Sequence, residues 1–109
     1  KPSSKNYKLW KKYYSGATGL LSIVIRSKKK TSVIKFVNSL ELFGIGYSWG
    51  GFESLAILQE LHSNKKGEYI QGRKYYKFNK DEHIVRLHIG LEDPKDLIND
   101  LKRSLRYIK

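Results

Sequence analysis

A small α+β sandwich, with a largely antiparallel sheet covered on one face by two helices, is the fold class this sequence predicts. Three observations predict it. The chain has 109 residues, enough for one buried core and too few for two. Short β-branched or alternating apolar runs recur between turn residues, as strands require. Two further stretches carry apolar residues at helical spacing, and the order strand, helix, strand, strand, helix lets both helices cover one sheet face. The whole chain, 1–109, reads as one domain without an internal repeat.

Each element follows from local residue chemistry. Residues 1–12 are polar and basic, with no core pattern beyond Leu9 and Trp10, and read as an arm leading into a domain over 13–109. Gly16-Ala17-Thr18-Gly19 is a turn. Leu20 to Arg26, LLSIVIR, is a β-branched strand that Ser27 to Lys30 breaks. Thr31 or Ser32 can cap a helix in which Val33, Phe36, Val37 and Leu40 share a face. Leu42 to Trp49 reads as a second strand, with Phe43, Ile45, Tyr47 and Trp49 on one side and Gly44, Gly46 and Ser48 on the other. Gly50-Gly51 turns the chain, and Glu53 to Gln59 is a third strand or a short helix. Residues 62–82 are polar, Tyr-rich and Lys-rich, lack a period and read as a long loop, with room for a short hairpin. From Ile84 to Ile89 the alternation is clean: Val85, Leu87 and Ile89 face one way, and Ile84, Arg86 and His88 the other. Asp93-Pro94 opens the last helix as N-cap and first-turn proline, with Asp96 in the first turn. Leu97, Ile98, Leu101, Leu105 and Ile108 form its apolar stripe, and Arg103, Arg106 and Lys109 suit the negative end of its dipole.

Composition narrows the function classes. Hydrophobic residues make up 39% and charged residues 29%, which is ordinary globular usage and argues against wholesale disorder. With no cysteine there is no disulfide framework, no thiolate nucleophile and no Cys-ligated zinc. No apolar run approaches the ~20 residues of a membrane helix, and no signal segment opens the chain; a soluble cytoplasmic protein is expected. Methionine is absent even ahead of Lys1-Pro2, so these residues are expected to belong to a longer product. The net charge of +12 suggests a polyanion such as nucleic acid. Yet only five of the 22 basic residues are Arg, the residue that base-edge and phosphate recognition favours. Abundant Ile, Tyr and Asn with little Ala or Pro is the bias of an AT-rich coding sequence, which raises Lys without any partner.

Several motifs fail on inspection. Gly44-Ile45-Gly46 lacks the third glycine of a dinucleotide fingerprint, because Trp49 stands there, and it lies within a strand; glycines in a strand more often mark the close approach of a backbone or ligand. His83 and His88 have opposite parity on one strand, and with His62 they form no zinc pattern, so no metal site is expected. No nucleophile elbow with a His–acid pair is present. Two features survive. Arg86 sits mid-strand between apolar residues, a costly place for a guanidinium unless it meets an anion or a structural partner such as Glu53, Glu92 or Asp93. Ser48-Trp49-Gly50-Gly51 puts a hydroxyl, an indole and two permissive residues at a strand end, either as a binding element or as a core tryptophan beside a turn.

Taken together, these pieces resemble a known family. Tyr47-Ser48-Trp49-Gly50-Gly51-Phe52-Glu53-Ser54-Leu55, then Val85-Arg86-Leu87-His88-Ile89-Gly90-Leu91-Glu92-Asp93, then Asp96-Leu97-Ile98-Asn99-Asp100-Leu101 resemble the C-terminal domain of the Cys/Met-metabolism enzymes that use pyridoxal phosphate. The resemblance spans residues 9–108. Trp49 after Ser48, and His88 in RLHIGLED, are similar to the bacterial cystathionine β-lyase branch, with the γ-lyases and γ-synthases as the alternative branches.

The resemblance implies a parent of fold type I. Its large domain would hold pyridoxal phosphate, and this small C-terminal domain would close the substrate site. Arg86 would grip the substrate α-carboxylate, Ser48 would assist there, and Tyr47 and Trp49 would line the pocket. A bidentate fork suits a carboxylate because it fixes orientation as well as charge. The parent would be a cytoplasmic carbon–sulfur lyase of methionine biosynthesis, a homotetramer splitting cystathionine into homocysteine, pyruvate and ammonia. The Schiff-base lysine, the pyridine-nitrogen aspartate, the stacking tyrosine and the phosphate cradle belong to the large domain and match no residue here. The chain alone is therefore expected to bind no cofactor and to be inactive. A free-standing polyanion-binding module, or self-association through the face left bare by the missing large domain, are the competing expectations.

Overall fold

The alternating residues Ile84 to His88 fall in an interior strand of a four-stranded sheet, and Ile89 lies just past its end. The computed structural model describes residues 5–60 and 79–109. Its elements are α1 (Tyr7–Tyr13), β1 (Leu20–Arg26), α2 (Lys30–Asn38), β2 (Gly44–Ile45), β3 (Leu55–Gln59), β4 (Glu82–His88) and α3 (Pro94–Ser104), which runs on into a 3-10 turn at Leu105–Tyr107. Most of the expected 62–82 loop lies outside the described residues; its end does not, because β4 begins at Glu82.

The sheet order is β1-β4-β3-β2. β4 pairs antiparallel with β1, Ile23 opposite Val85, and antiparallel with β3, Ala56 opposite Leu87. Only the two-residue β2 runs parallel to its neighbour, Gly44 beside Leu55. The expected α+β class and largely antiparallel sheet are therefore present. One face of β4 carries Val85 and Leu87, which join Ile25 of β1, Ala56 of β3, Val33, Phe36 and Val37 of α2, Phe43 and Leu97 of α3 in a single core. Both long helices pack on that face. The opposite face carries Ile84, Arg86 and His88 of β4, in register with Ile57 and Leu55 of β3 and with Ser22 and Leu20 of β1.

Several expectations are corrected. The basic arm contains a helical stretch, α1, that buries none of its residues; Tyr7 and Trp10 stack on each other instead, ring centroids 5.8 Å apart. Neither Thr31 nor Ser32 caps α2. The helix starts two or three residues earlier, Lys29 holds the cap position, and no side chain caps it; Ser27 Oγ instead accepts from the Lys29 N–H just outside. The strand expected over Leu42–Trp49 shrinks to Gly44–Ile45, and its proposed common face dissolves: Phe43 enters the core while Ile45, Tyr47 and Trp49 stay exposed. Glycines at 44 and 46 weaken a strand here, because they have no side chain to pack and lose more conformational entropy. Glu53–Gln59 resolves as strand β3 from Leu55 onward. In α3 the Asp93 cap and Pro94 start stand as expected, with Asp93 Oδ1 accepting from the Lys95 N–H at 2.7 Å. The apolar stripe is narrower than its spacing suggests: Leu97 is buried, but Ile98 and Leu105 are about half exposed at 50% and 49%.

Two buried polar clasps hold the irregular segments. Asp100 of α3 is 5% exposed, and its carboxylate accepts from the backbone N–H groups of Glu41, Leu42 and Phe43. Arg103, one turn on, donates to Asp100 Oδ1 at 2.5 Å and pairs with Glu41. This anchors the turn that delivers Phe43 to the core. The second clasp joins the start of β3 to the chain leaving β4. The Ser54 N–H and hydroxyl both donate to Glu92, and the Gly90 N–H donates to Ser54 Oγ at 2.8 Å. Gly90 lies so close to the facing backbone that an added Cβ would sit inside contact distance of the Phe52 carbonyl oxygen and 2.6 Å from the Glu53 carbonyl carbon. The Ser54 donors hold the Glu92 carboxyl below the usual carboxylate range. At the other end of β4 the Asn79 N–H, with Arg26, does the same for Glu82.

Three outcomes follow for stability. Gly90→Ala should destabilise the fold by about 3 kcal/mol, since rigid backbone must yield, whereas Gly16→Ala, with open space around it, should change it by less than about 0.5 kcal/mol; chemical denaturation compares the two. Asp100→Ala should cost about 3 kcal/mol by the same assay, because three backbone donors lose their acceptor. Because the folded-state pKa values of Glu82 and Glu92 are depressed, their contribution is present above the ordinary carboxylate range, and is lost as pH falls through the depressed values, where the folded protein too takes up the protons. Unfolding measured from neutral pH down to about pH 3 should show a shallower acid loss for Glu92→Gln than for the unaltered chain.

Candidate functional site

The face of the sheet that the helices leave open gathers the chemistry. Arg86 projects from the middle of β4 on this face and is half-buried. Strand parity fixes that direction: with Val85 and Leu87 in the core, residue 86 must point away. Its guanidinium donates to the Tyr47 carbonyl and lies over the Tyr47 ring, 5.9 Å from the centroid. The structural partners considered for it are otherwise engaged or absent. Glu92 takes the Ser54 donors, and among the described residues no carboxylate forms an ion pair with Arg86. A fork with one donor on a carbonyl and no anionic partner retains N–H groups for a carboxylate ligand.

The segment after β2 passes across this side chain. Tyr47, Ser48 and Trp49 are all exposed, Tyr47 at 70% and Trp49 at 63%. Trp49 is therefore not the core tryptophan that one reading of the motif allowed. The structure brings Tyr47 and Arg86 together directly. Ser48 and Trp49 follow on the same segment, and no hydrogen bond among the described residues joins either to Arg86. Gly50 makes the turn in the left-handed region, φ +81°, a conformation that favours glycine.

His88 is the residue whose part in this site sequence reasoning missed. Two residues along β4 from Arg86 and on the same face, it is 7% exposed. Its Nε2–H donates to the Gly51 carbonyl at 3.0 Å, and its Nδ1 faces the Gly50 N–H at 3.4 Å. The parity of 86 and 88 was the available signal: it puts both polar side chains beneath whatever crosses that face. Gly44 and Gly46 answer the sequence question about strand glycines. The Leu55 side chain lies 3.2 Å from where a Cβ on Gly44 would stand, so the close neighbour is a packed leucine. The described residues contain no cluster of three metal-ligating side chains, and no described helix is long and apolar enough to cross a membrane.

The chain is similar to known proteins along nearly its whole length. The sequence model of the family described as Cys/Met metabolism PLP-dependent enzyme matches residues 1–106. Cystathionine β-lyase of Bordetella avium is 41% identical over 104 residues, 95% of this chain and 24% of the relative. Cystathionine β-lyase of Escherichia coli K12 is 36% identical over 101 residues, 92% of this chain and 24% of the relative. Among solved structures, a protein of Campylobacter jejuni named as an O-acetylhomoserine (thiol)-lyase superposes with a TM-score of 0.64 at 28% identity, covering 95% of this chain and 21% of that one. The chain thus spans about a quarter of the length of the curated relatives it matches. A matching family sequence over nearly its whole length, on a fold shared with a solved relative, shows that this chain belongs to the Cys/Met metabolism family of pyridoxal-phosphate-dependent enzymes.

Proposed function

We propose that this chain is the C-terminal, substrate-gripping domain of a cystathionine β-lyase, and that Arg86 holds the α-carboxylate of the amino-acid substrate. The observation that carries the reading is the guanidinium of Arg86: fixed by strand parity, half-buried, without an acidic partner among the described residues, and beneath the Tyr47–Gly51 segment. The two β-lyase relatives named above support the choice of branch.

In this reading the chain contributes binding and orientation. Arg86 meets the carboxylate with a planar pair of donors, which fixes the direction of the Cα substituents as well as the charge. Ser48, exposed and next in line, offers a hydroxyl to the same carboxylate. Tyr47 and Trp49 supply aromatic walls for the thioether arm. Holding the scissile arrangement in one orientation is an entropic contribution to rate that binding residues alone can make. Among the polar side chains that β4 presents on this face, Arg86 keeps donors for a carboxylate and His88 is spent on the Gly50-Gly51 turn, so neither fits a cofactor site. Pyridoxal phosphate, held by other parts of the parent, would act as electron sink. The parent's substrate would be cystathionine, and its assembly a homotetramer.

The test is kinetic and uses the full-length parent. Arg86→Ala should lower kcat/KM for cystathionine by two to three orders of magnitude, about 3–4 kcal/mol, as expected for losing a charge-assisted carboxylate contact in a desolvated site. Arg86→Lys should recover only part of it, since an ammonium cannot present the fork. Unaltered kcat/KM in Arg86→Ala would remove the assignment.

A further inference from the structure

Among the described residues, the segment from Gly46 to Gly51 is tied to the sheet by two side chains, and both come from one face of β4. Arg86 holds its start through the Tyr47 carbonyl, and His88 holds its turn through Gly50 and Gly51. We infer that His88 is a positioning residue for the substrate site: it fixes the Gly50-Gly51 turn, and so the placement of Ser48 and Trp49. The inference rests on the substrate-site reading given above.

The geometry carries it in three steps. First, one imidazole ring engages both a donor and an acceptor of adjacent residues. That pairing selects the neutral ring with its proton on Nε2, because Nδ1 must accept from Gly50 while Nε2–H donates to Gly51. Second, the ring itself has little freedom. It is 7% exposed and lies on an interior strand, in register with Leu20 on one side and Leu55 on the other. An anchor that cannot move transmits position to what it holds. Third, the segment has little else to hold it. Tyr47, Ser48 and Trp49 are exposed, and Gly50 and Gly51 have open space around them, so no packing replaces the hydrogen bonds.

The two anchors differ in what a substrate does to them. A carboxylate arriving at Arg86 takes N–H groups left free beside the Tyr47 carbonyl, so the two share one guanidinium. His88 takes no part in that contact, so it keeps the turn in place while Arg86 is engaged. Arg86 thereby governs whether an amino acid is gripped, and His88 governs how well Trp49 and Ser48 meet the rest of it.

That division supplies the experiment. In the full-length, cofactor-loaded parent, KM and kcat are measured for cystathionine, together with the inhibition constant of glycine, which offers a carboxylate and amine but no side chain for Trp49 to meet. His88→Leu removes both hydrogen bonds and should raise KM for cystathionine about tenfold or more, the equivalent of one or two neutral hydrogen bonds, while the glycine constant changes less than about twofold. His88→Gln, whose amide N–H can reach the Gly51 carbonyl in place of Nε2–H, should return most of the loss. If the leucine variant does not fold, His88→Thr, too short to reach the turn, takes its place. Equal weakening of cystathionine and glycine in the His88 variants would mean that the histidine only supports Arg86 or the fold, and would overturn the inference. So would unchanged constants in His88→Leu alongside a damaged Arg86→Ala. Arg86→Ala with both constants unchanged would instead overturn the substrate-site reading on which the inference stands.

Discussion

Everything in this fold depends on the register of β4. It is bonded on both sides, to β1 and to β3, and its two faces have opposite chemistry. Val85 and Leu87 belong to the core, while Arg86 and His88 point away from it. A slip of one residue would drive a guanidinium into the apolar layer and expose two core residues at once. Because the side-chain period is two, no intermediate arrangement exists. Burying an unpaired charge and baring two aliphatic side chains would each cost several kcal/mol, so the register is strongly specified. The hydrophobic effect thereby decides, from the core side, where a polar site is built on the other.

The irregular segments are placed by a different force. Between the regular elements the chain is short of apolar side chains to bury, and polar clasps do the positioning. Asp100 gathers three consecutive backbone donors at Glu41–Phe43. Glu92 and Ser54 join the start of β3 to the chain beyond β4, closely enough that only glycine fits at position 90. His88 holds the turn at Gly50-Gly51. In each case a single side chain from a rigid element satisfies backbone groups of a loop, which would otherwise need water or regular structure. The consequence is a site whose loop is exposed yet has a defined course.

The charge of the chain has a plainer account. The +12 balance is carried mostly by lysines. Those of α1 lie on a helix with no buried residue, and Lys30 pairs with Glu60. Among the described residues the one Lys or Arg in a strand interior is Arg86, and the role proposed for it, meeting a single carboxylate, is a demand for geometry rather than for bulk charge.

Much of this was legible in the sequence, and the part that was not has a physical reason. A β-branched run gave β1, clean alternation gave β4 with its ends shifted by one or two residues, and an Asp-Pro start gave the cap of α3, because these are local signals. The direction of Arg86 followed from parity alone. The motifs around Ser48 and Arg86 carried the family resemblance, and the role proposed for them, a carboxylate grip, calls for particular residue types in a particular order. What sequence could not decide was the fate of residues 42–49. Their alternation suggests a long strand, but a strand exists only where a neighbour accepts its hydrogen bonds, and β3 offers a parallel partner for Gly44 and Ile45 alone. The same limit hid the role of His88. Its partners are backbone atoms of Gly50 and Gly51, distant along the chain and brought over it only when β3 and β4 pair. Local pattern determined which way each side chain faces; only the tertiary structure decided what it meets there, because those contacts are made between segments that no local period connects.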